Sequence, residues 1–305
     1  HKINFTLSRQ FMRNAIKVEN LRRTYGENTV VNSISFEVAE GEIFGFLGPN
    51  GAGKTTSIRM MIGEIPKDSG SISILDCPVP DHSGLLKKLI GVVPDHQNLY
   101  DRITVRQNLE FFADLNNVEH RRIDEVLDLV FLTEHQHKAA LDLSRGLRQR
   151  TLIARGLLHH PRVFFLDEPT SALDPNSALL IRKLVKELQS QGTTVFLTTH
   201  YMEEADSLCD RLAIMHHGNI VACGRSADLK SKFGRESVCI EYLQDDTSRK
   251  VELSLTDQVE KEKIAEIMKK EKIVKIHSQE ASLEEVFLNL TGSAWKSNGE
   301  NENEP

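Results

Sequence analysis

The 305-residue sequence holds no C-x-x-C pair: its four cysteines, Cys77, Cys209, Cys223 and Cys239, stand far apart. That scatter argues against a zinc site and against a disulfide framework, and it suits a reducing compartment. A basic excess is missing too. With 38 Lys and Arg against 44 Asp and Glu, the net charge of -6 gives no general attraction to nucleic acid or to an anionic membrane surface. No nucleic-acid partner is expected. Apolar runs such as "VFFL" fall far short of the ~20 residues that span a bilayer, and the N-terminus has no apolar core of signal-peptide length. The expectation is a chain that does not itself cross a membrane. What remains, 39% hydrophobic and 27% charged residues, is the composition of an ordinary globular protein with a sizeable core.

From about residue 16 to 225, short β-branched or aromatic runs alternate with segments of helical period. "EIFGFLG" precedes "KTTSIRMMIGE", "RVFFLDEP" precedes "NSALLIRKLVKELQSQG", and "TTVFLTTH" precedes "MEEADSLCD". This alternation predicts parallel strands joined by helices. The opening stretch alternates at shorter period, with a turn at Tyr25, Gly26, Glu27 and Asn28, and predicts an antiparallel flap. Residues 104 to 160 have a mainly helical pattern, expected as a helical subdomain inserted into the α/β core. The expected boundaries are an N-terminal extension over residues 1–15, an α/β domain over 16–230, a small α+β domain over 235–292 and a disordered acidic tail over 293–305.

"GPNGAGKTT", residues 48–56, matches G-x-x-x-x-G-K-[ST] between a predicted strand and a predicted helix, the context that marks a phosphate loop. Gly48, Gly51 and Gly53 let the backbone curl so that successive N–H groups face a phosphate, and the dipole of the following helix adds to the attraction. Pro49, Asn50, Ala52 and Thr56 complete the loop. Lys54 is placed to reach the β and γ phosphates of a nucleotide, and the Thr55 hydroxyl to bind Mg²⁺. In "RVFFLDEPTSALD" a buried strand ends at Asp167 and Glu168; the first acid suits a Mg²⁺ ligand, and the second can orient or deprotonate an attacking water. A third strand, "TTVFLTTH", ends at His200. All these groups fall at the carboxyl ends of predicted parallel strands, where open α/β sheets bind ligands. The shared rim predicts one site for a nucleoside triphosphate with Mg²⁺, and hydrolysis or phosphoryl transfer as its chemistry. The histidines at 135 and 137, 159 and 160, and 216 and 217 lack a convergent third ligand, so no metal role is assigned to them.

In this order the motifs resemble the nucleotide-binding subunits of ABC transporters over about residues 16 to 225. The resemblance implies an α/β P-loop NTPase core with an antiparallel β flap and an inserted helical subdomain, followed by the small C-terminal α+β domain. By the same resemblance Tyr25 stacks on the adenine of ATP, Asp167 is the second acidic magnesium position and Glu168 is the general base. Asp174, in "SALD", belongs to a loop that crosses to the partner, and His200 senses the γ-phosphate. "LSRGL", residues 143–147, stands where the family carries Leu-Ser-Gly-Gly-Gln. Ser144 and Gly146 keep a hydroxyl and a bare backbone for the γ-phosphate of ATP held by a second subunit. Arg145 and Leu147 depart from the pattern, and Arg145 either adds a phosphate contact or turns to solvent. Asp95, in "VVPDHQNLY", replaces the family's Gln. It either ligates Mg²⁺ and alters the metal dependence or faces solvent in a structural role; Gln97 substitutes only if the loop shifts. "SLEEVFLNLTG" is similar to the ending of the drug-resistance and ABC-2 type exporters.

The resemblance therefore implies a cytosolic subunit that binds and hydrolyses MgATP as a homodimer or heterodimer sandwiching the nucleotide. It drives a separate polytopic permease, in the export direction, from the inner face of the cell membrane. One rival is a soluble ABC ATPase acting on ribosomes or DNA; such relatives carry two cassettes or a long coiled coil, and neither pattern is present. The other is a non-hydrolysing nucleotide sensor, which Arg145 and Asp95 keep open. The transported molecule is expected to contact the permease, so this sequence does not name it.

Overall fold

The computed structural model describes residues 13–96, 98–234, 237–244, 247–255, 257–279 and 281–292. Gln97, most of the N-terminal extension and the acidic tail lie outside the described residues. The chain divides into two compact units, His1–Ile220 and Val221–Pro305. In chain order the strands up to that division are β1 (Asn14–Tyr25), β2 (Asn28–Ala39), β3 (Ile43–Leu47), β4 (Ser69–Ile74), β5 (Cys77–Pro78), β6 (Ile90–Val93), β7 (Val163–Asp167), β8 (Thr194–Thr199), β9 (Arg211–His216) and β10 (Asn219–Gly224), the last containing the division itself.

The predicted flap is a four-stranded antiparallel sheet in the order β2-β1-β4-β5. Tyr25 faces Asn28 across a two-residue turn in which Gly26 takes φ 59, the left-handed backbone that tight hairpins demand and glycine adopts at no steric cost. β1 begins at Asn14, with Ala15 and Ile16 fully buried. The flap thus takes in two residues assigned above to the extension: one short apolar side chain next to a polar one carries too little pattern to mark a strand start.

The second sheet runs β10-β9-β3-β8-β7-β6, with β6, β7, β8, β3 and β9 mutually parallel. Strands β3, β7 and β8 are buried at every residue, which is why they read as continuous apolar runs instead of alternating ones. The pleat then sorts their side chains between two cores. Phe44, Phe46, Val163, Phe165 and Phe196 face one core with Phe36 of the flap and Met60 of the helix Lys54–Met61; Phe164, Leu166, Val195 and Leu197 face the other.

That other core is covered by the helices Val105–Leu115, Arg121–Leu129, Arg145–Leu157 and Pro175–Ser190 through Leu109, Ile123, Val126, Leu152 and Leu184. The first starts in a capping box: Thr104 accepts from the Gln107 N–H, and the Gln107 side chain returns a bond to the Thr104 N–H, satisfying two otherwise orphaned donors.

In the second unit β11 (Ser237–Gln244), β12 (Thr247–Ser254) and β13 (Lys272–Gln279) form an antiparallel sheet in the order β12-β11-β13. Val238, Ile240 and Leu253 of the sheet pack against Ile267 of the helix Gln258–Lys270. The closing helix Leu283–Thr291 has a Ser282/Glu285 capping box and ends on Gly292. Among the described residues no helix is long and apolar enough to cross a membrane.

Phe196 is the hub of the flap-side core, its ring centroid 4.8 Å from Phe46, 5.6 Å from Phe165 and 5.9 Å from both Phe36 and Phe44. Phe196→Ala should cost about 3–5 kcal/mol of stability, measured as a lower urea midpoint at unchanged m-value. A loss under about 1 kcal/mol would contradict that placement.

Candidate functional site

β3 ends at Leu47, and the next six residues curl before the helix Lys54–Met61 takes over. Gly53, the helix N-cap, sits at φ 105, and a Cβ there would lie 2.6 Å from the Val30 carbonyl oxygen. Both facts require glycine. Lys54 is the first helical residue and is almost wholly buried; its Nζ donates to the carbonyl oxygens of Gly48 at 2.7 Å and Pro49 at 3.2 Å. A buried ammonium needs a counter-charge, and Glu168 Oε1 supplies it at 3.1 Å.

Parallel pairing brings the acids to the same rim. Leu47 of β3 aligns with Thr199 of β8, and Asp167 of β7 with Thr198 of β8. Asp167 Oδ1 accepts from Thr198 Oγ1 at 2.5 Å and from Thr55 Oγ1 at 3.1 Å. Thr198 Oγ1 in turn accepts from the Glu168 backbone N–H at 2.9 Å. Glu168 itself has φ 49, so the chain turns out of the strand at that residue. Its second oxygen, Oε2, lies 2.7 Å from His200 Nδ1. Lys54, Glu168 and His200 are thereby in one chain of contacts.

The two neighbouring carboxyls are pushed in opposite directions. Burial raises Asp167 above its ordinary value, the hydrogen bonds from Thr198 and Thr55 only partly offset this, and the charges of Asp95 and Glu168 add to the rise. For Glu168 burial also pushes upward, but the His200 hydrogen bond and the Lys54 charge outweigh it and hold the group below the ordinary carboxylate range. The surroundings thus favour the ionised form of Glu168 and disfavour that of Asp167.

The Thr55 hydroxyl and the Asp167 carboxylate suit a hard cation. The two oxygens lie 3.1 Å apart, near enough for both to serve one small cation. A cation there would also favour the charged form of Asp167 that burial disfavours. Among the described residues no three His, Cys, Asp or Glu side chains converge as a metal site. Asp95 lines a small cavity of about 20 Å³ together with Asp167, Pro94 and His96, while its own oxygen accepts from or pairs with His96 Nδ1 at 2.9 Å.

The remaining sequence-predicted residues lie on the same unit, His1–Ile220. Tyr25 ends β1 half-exposed, with the Arg23 guanidinium 4.5 Å over its ring. Asp174 caps the helix Pro175–Ser190, accepting from the Ser177 N–H at 3.0 Å. Ser144 caps Arg145–Leu157, accepting from the Leu147 N–H at 3.4 Å; Ser144 and Arg145 are exposed. Gly146 is buried, and a Cβ there would lie 2.3 Å from Ser177 Oγ and 2.8 Å from Ser177 Cβ. Its small size thus has a packing cause on the helix that Asp174 caps, one that the motif comparison did not give. Thr198 was also missed. Its signal was two threonines, Thr198 and Thr199, ending an otherwise apolar buried strand.

Comparison with known proteins places residues 31–171 in the family model described as ABC transporter. Over 91% of this chain and 98% of its own length, the linearmycin resistance ATP-binding protein of Bacillus subtilis is 35% identical. The Nod factor export ATP-binding protein I of Rhizobium etli is 36% identical over 93% of this chain and 95% of its own. Among solved structures, a dimeric ATP-binding cassette in a post-hydrolysis state bound to ADP and Pi matches 69% of this chain and 98% of its own, at 26% identity and a TM-score of 0.63.

Gly146→Ala should destabilise by about 1–3 kcal/mol through overpacking, against the ~0.5–1 kcal/mol gain that alanine brings to an open helical position. Thermal unfolding of Gly146→Ala beside Gly146→Ala/Ser177→Gly decides it: the second change should recover most of the loss, and no recovery would refute the contact. Glu168, with its pKa lowered by folding, contributes stability that is present above its unfolded value of about 4.3 and lost as pH falls through the lower folded value. The stability difference between the parent and Glu168→Gln should accordingly be largest near neutral pH and shrink below pH ~4; a difference that grows on acidification would reverse the assigned sign.

Proposed function

The chain belongs to the ATP-binding proteins of the ABC transporter family, and from that premise we propose how its residues carry out ATP hydrolysis coupled to transport. The carrying observation is the chain of contacts from Lys54 through Glu168 to His200 at the ends of β3, β7 and β8. The loop of residues 48–56 wraps the phosphates with its backbone N–H groups, Lys54 meets the β and γ phosphates, and Tyr25 stacks on adenine. Thr55 and Asp167 would hold Mg²⁺, which when bound would supply positive charge against the phosphates. Glu168 orients the attacking water and takes its proton, as an ionised carboxylate is able to do. His200 fixes Glu168 through Nδ1 and turns its other nitrogen to the terminal phosphate.

Under this reading the exposed Ser144 and Arg145 at the start of a helix, with Gly146 behind them, meet ATP bound by a second subunit, and Asp174 faces the same junction. The active form is a dimer with ATP sandwiched between subunits. The dimeric relative bound to ADP and Pi supports that arrangement by analogy. The permease is a separate membrane protein on whose cytoplasmic side this subunit sits, and the names of the relatives, one a resistance protein and one an export protein, favour export. They do not favour a ribosome- or DNA-directed ATPase. A non-hydrolysing sensor is disfavoured by the paired Glu168 and His200, since a protein that only sensed nucleotide would have no use for a carboxylate held towards its ionised form beside a histidine.

Glu168→Gln should keep ATP affinity, lower turnover by ~10²–10⁴ and accumulate an ATP-bound dimer on size-exclusion chromatography. Turnover close to the parent would end the assignment of Glu168 as base.

A further inference from the structure

Glu204 is a carboxylic acid that the hydrolytic mechanism leaves unused, and it is 1% exposed. It stands four residues past His200, on the helix Met202–Leu208. Burying a carboxyl so completely is costly unless its contacts repay the lost water, and its contacts all lead towards the site. Thr170 Oγ1 donates to Glu204 Oε1 at 2.8 Å; Thr170 lies in the segment that joins Glu168 to Asp174. Thr199, the residue before His200, partly offsets the upward push that burial gives the Glu204 carboxyl. Arg182, whose Nε is 3.7 Å from Oε1, projects from the helix that Asp174 caps. Glu204 Oε2 makes no hydrogen bond, and neither does Arg182 Nε.

We infer that Glu204 is a positioning residue, a buried strut that ties the Glu168–Asp174 segment to the His200 turn so that the base and the histidine keep their alignment. The inference rests on the reading of Glu168 and His200 as the hydrolytic pair. The physical case is one of geometry. Glu168 leaves β7 in a left-handed conformation, and Ala172 in the same segment has φ 53, so this stretch has no regular ladder to hold it. The Thr170–Glu204 hydrogen bond joins two buried side chains, where water cannot substitute for a lost partner. The strut touches neither ATP nor the attacking water, so its removal should change turnover and leave nucleotide affinity almost alone.

The test compares Glu204→Ala, Glu204→Gln and Thr170→Val in the full chain, with Glu168→Gln measured beside them. Glu204→Ala and Thr170→Val should each lower kcat by about 10- to 100-fold, the scale of a small misplacement at a reacting centre, with ATP dissociation constants within about twofold of the parent. Glu204→Gln keeps an oxygen for Thr170 Oγ1 and should recover most of the turnover. The double variant Glu204→Ala/Thr170→Val should be no slower than either single one, because both break one bond. If Glu204→Ala fails to fold, Thr170→Val and Glu204→Gln still decide the matter. Parental kcat in Thr170→Val, a Glu204→Gln variant with under a tenth of the parent's turnover, or a loss of ATP affinity as large as the loss of kcat would overturn the inference. A fully active Glu168→Gln would overturn the underlying reading and this inference with it, whereas an inactive Glu168→Gln beside a fully active Thr170→Val overturns this inference alone.

Discussion

The parallel pairing of β3, β8 and β7 in one register is the constraint on which the site depends. Because Leu47 aligns with Thr199 and Thr198 with Asp167, the three strands end at a common height, and the chain segments that leave them start side by side. The loop to Lys54, the turn at Glu168 and the turn at His200 are therefore neighbours although more than a hundred residues of sequence separate the first from the others. A one-residue slip would turn the Asp167 and Thr198 side chains to the opposite face of the sheet. The apolar residues that alternate along the same strands, with phenylalanines towards the flap and Leu, Val and Phe164 towards the helices, make any such slip prohibitively unfavourable.

Charge is the second layer of order at this rim. One buried ammonium and two adjacent carboxyls cannot be treated as independent groups, since each changes the proton affinity of the next. The structure separates them by assigning different partners. Lys54 and His200 face Glu168 and keep it ionised, while Asp167 receives only hydroxyl hydrogen bonds from Thr55 and Thr198 and is raised by burial. Two consecutive acids thus acquire different environments by the direction in which each points.

Much of this was legible in the sequence because its causes are local. The phosphate loop needs glycines at fixed spacing, the buried parallel strands need unbroken apolar runs, and helix starts announce themselves by Ser, Thr or Asp three residues before a matching N–H, as at Thr104, Asp174 and Ser282. The flap, the helical region and the small second unit follow from the same rules. Less legible were features with causes at a distance. Gly146 appeared as a ligand-facing glycine of a motif, yet its missing side chain makes room for Ser177 on another helix. Thr198 and Glu204 belong to no recognised motif, and only their burial and partners give them meaning.

By itself the sequence determined which residue types would meet at the strand ends, since the G-x-x-x-x-G-K-[ST] loop, the Asp167–Glu168 step and the strand-ending His200 each have a local chemical reason to stand where they do. Tertiary structure alone decided which oxygen faces which partner: Glu168 towards Lys54 and His200, Asp167 towards Thr55 and Thr198, Glu204 towards Thr170. The physical reason is that a hydrogen bond or an ion pair is fixed within a few tenths of an ångström by packing between segments remote in sequence, and no spacing of residues along a chain encodes that distance.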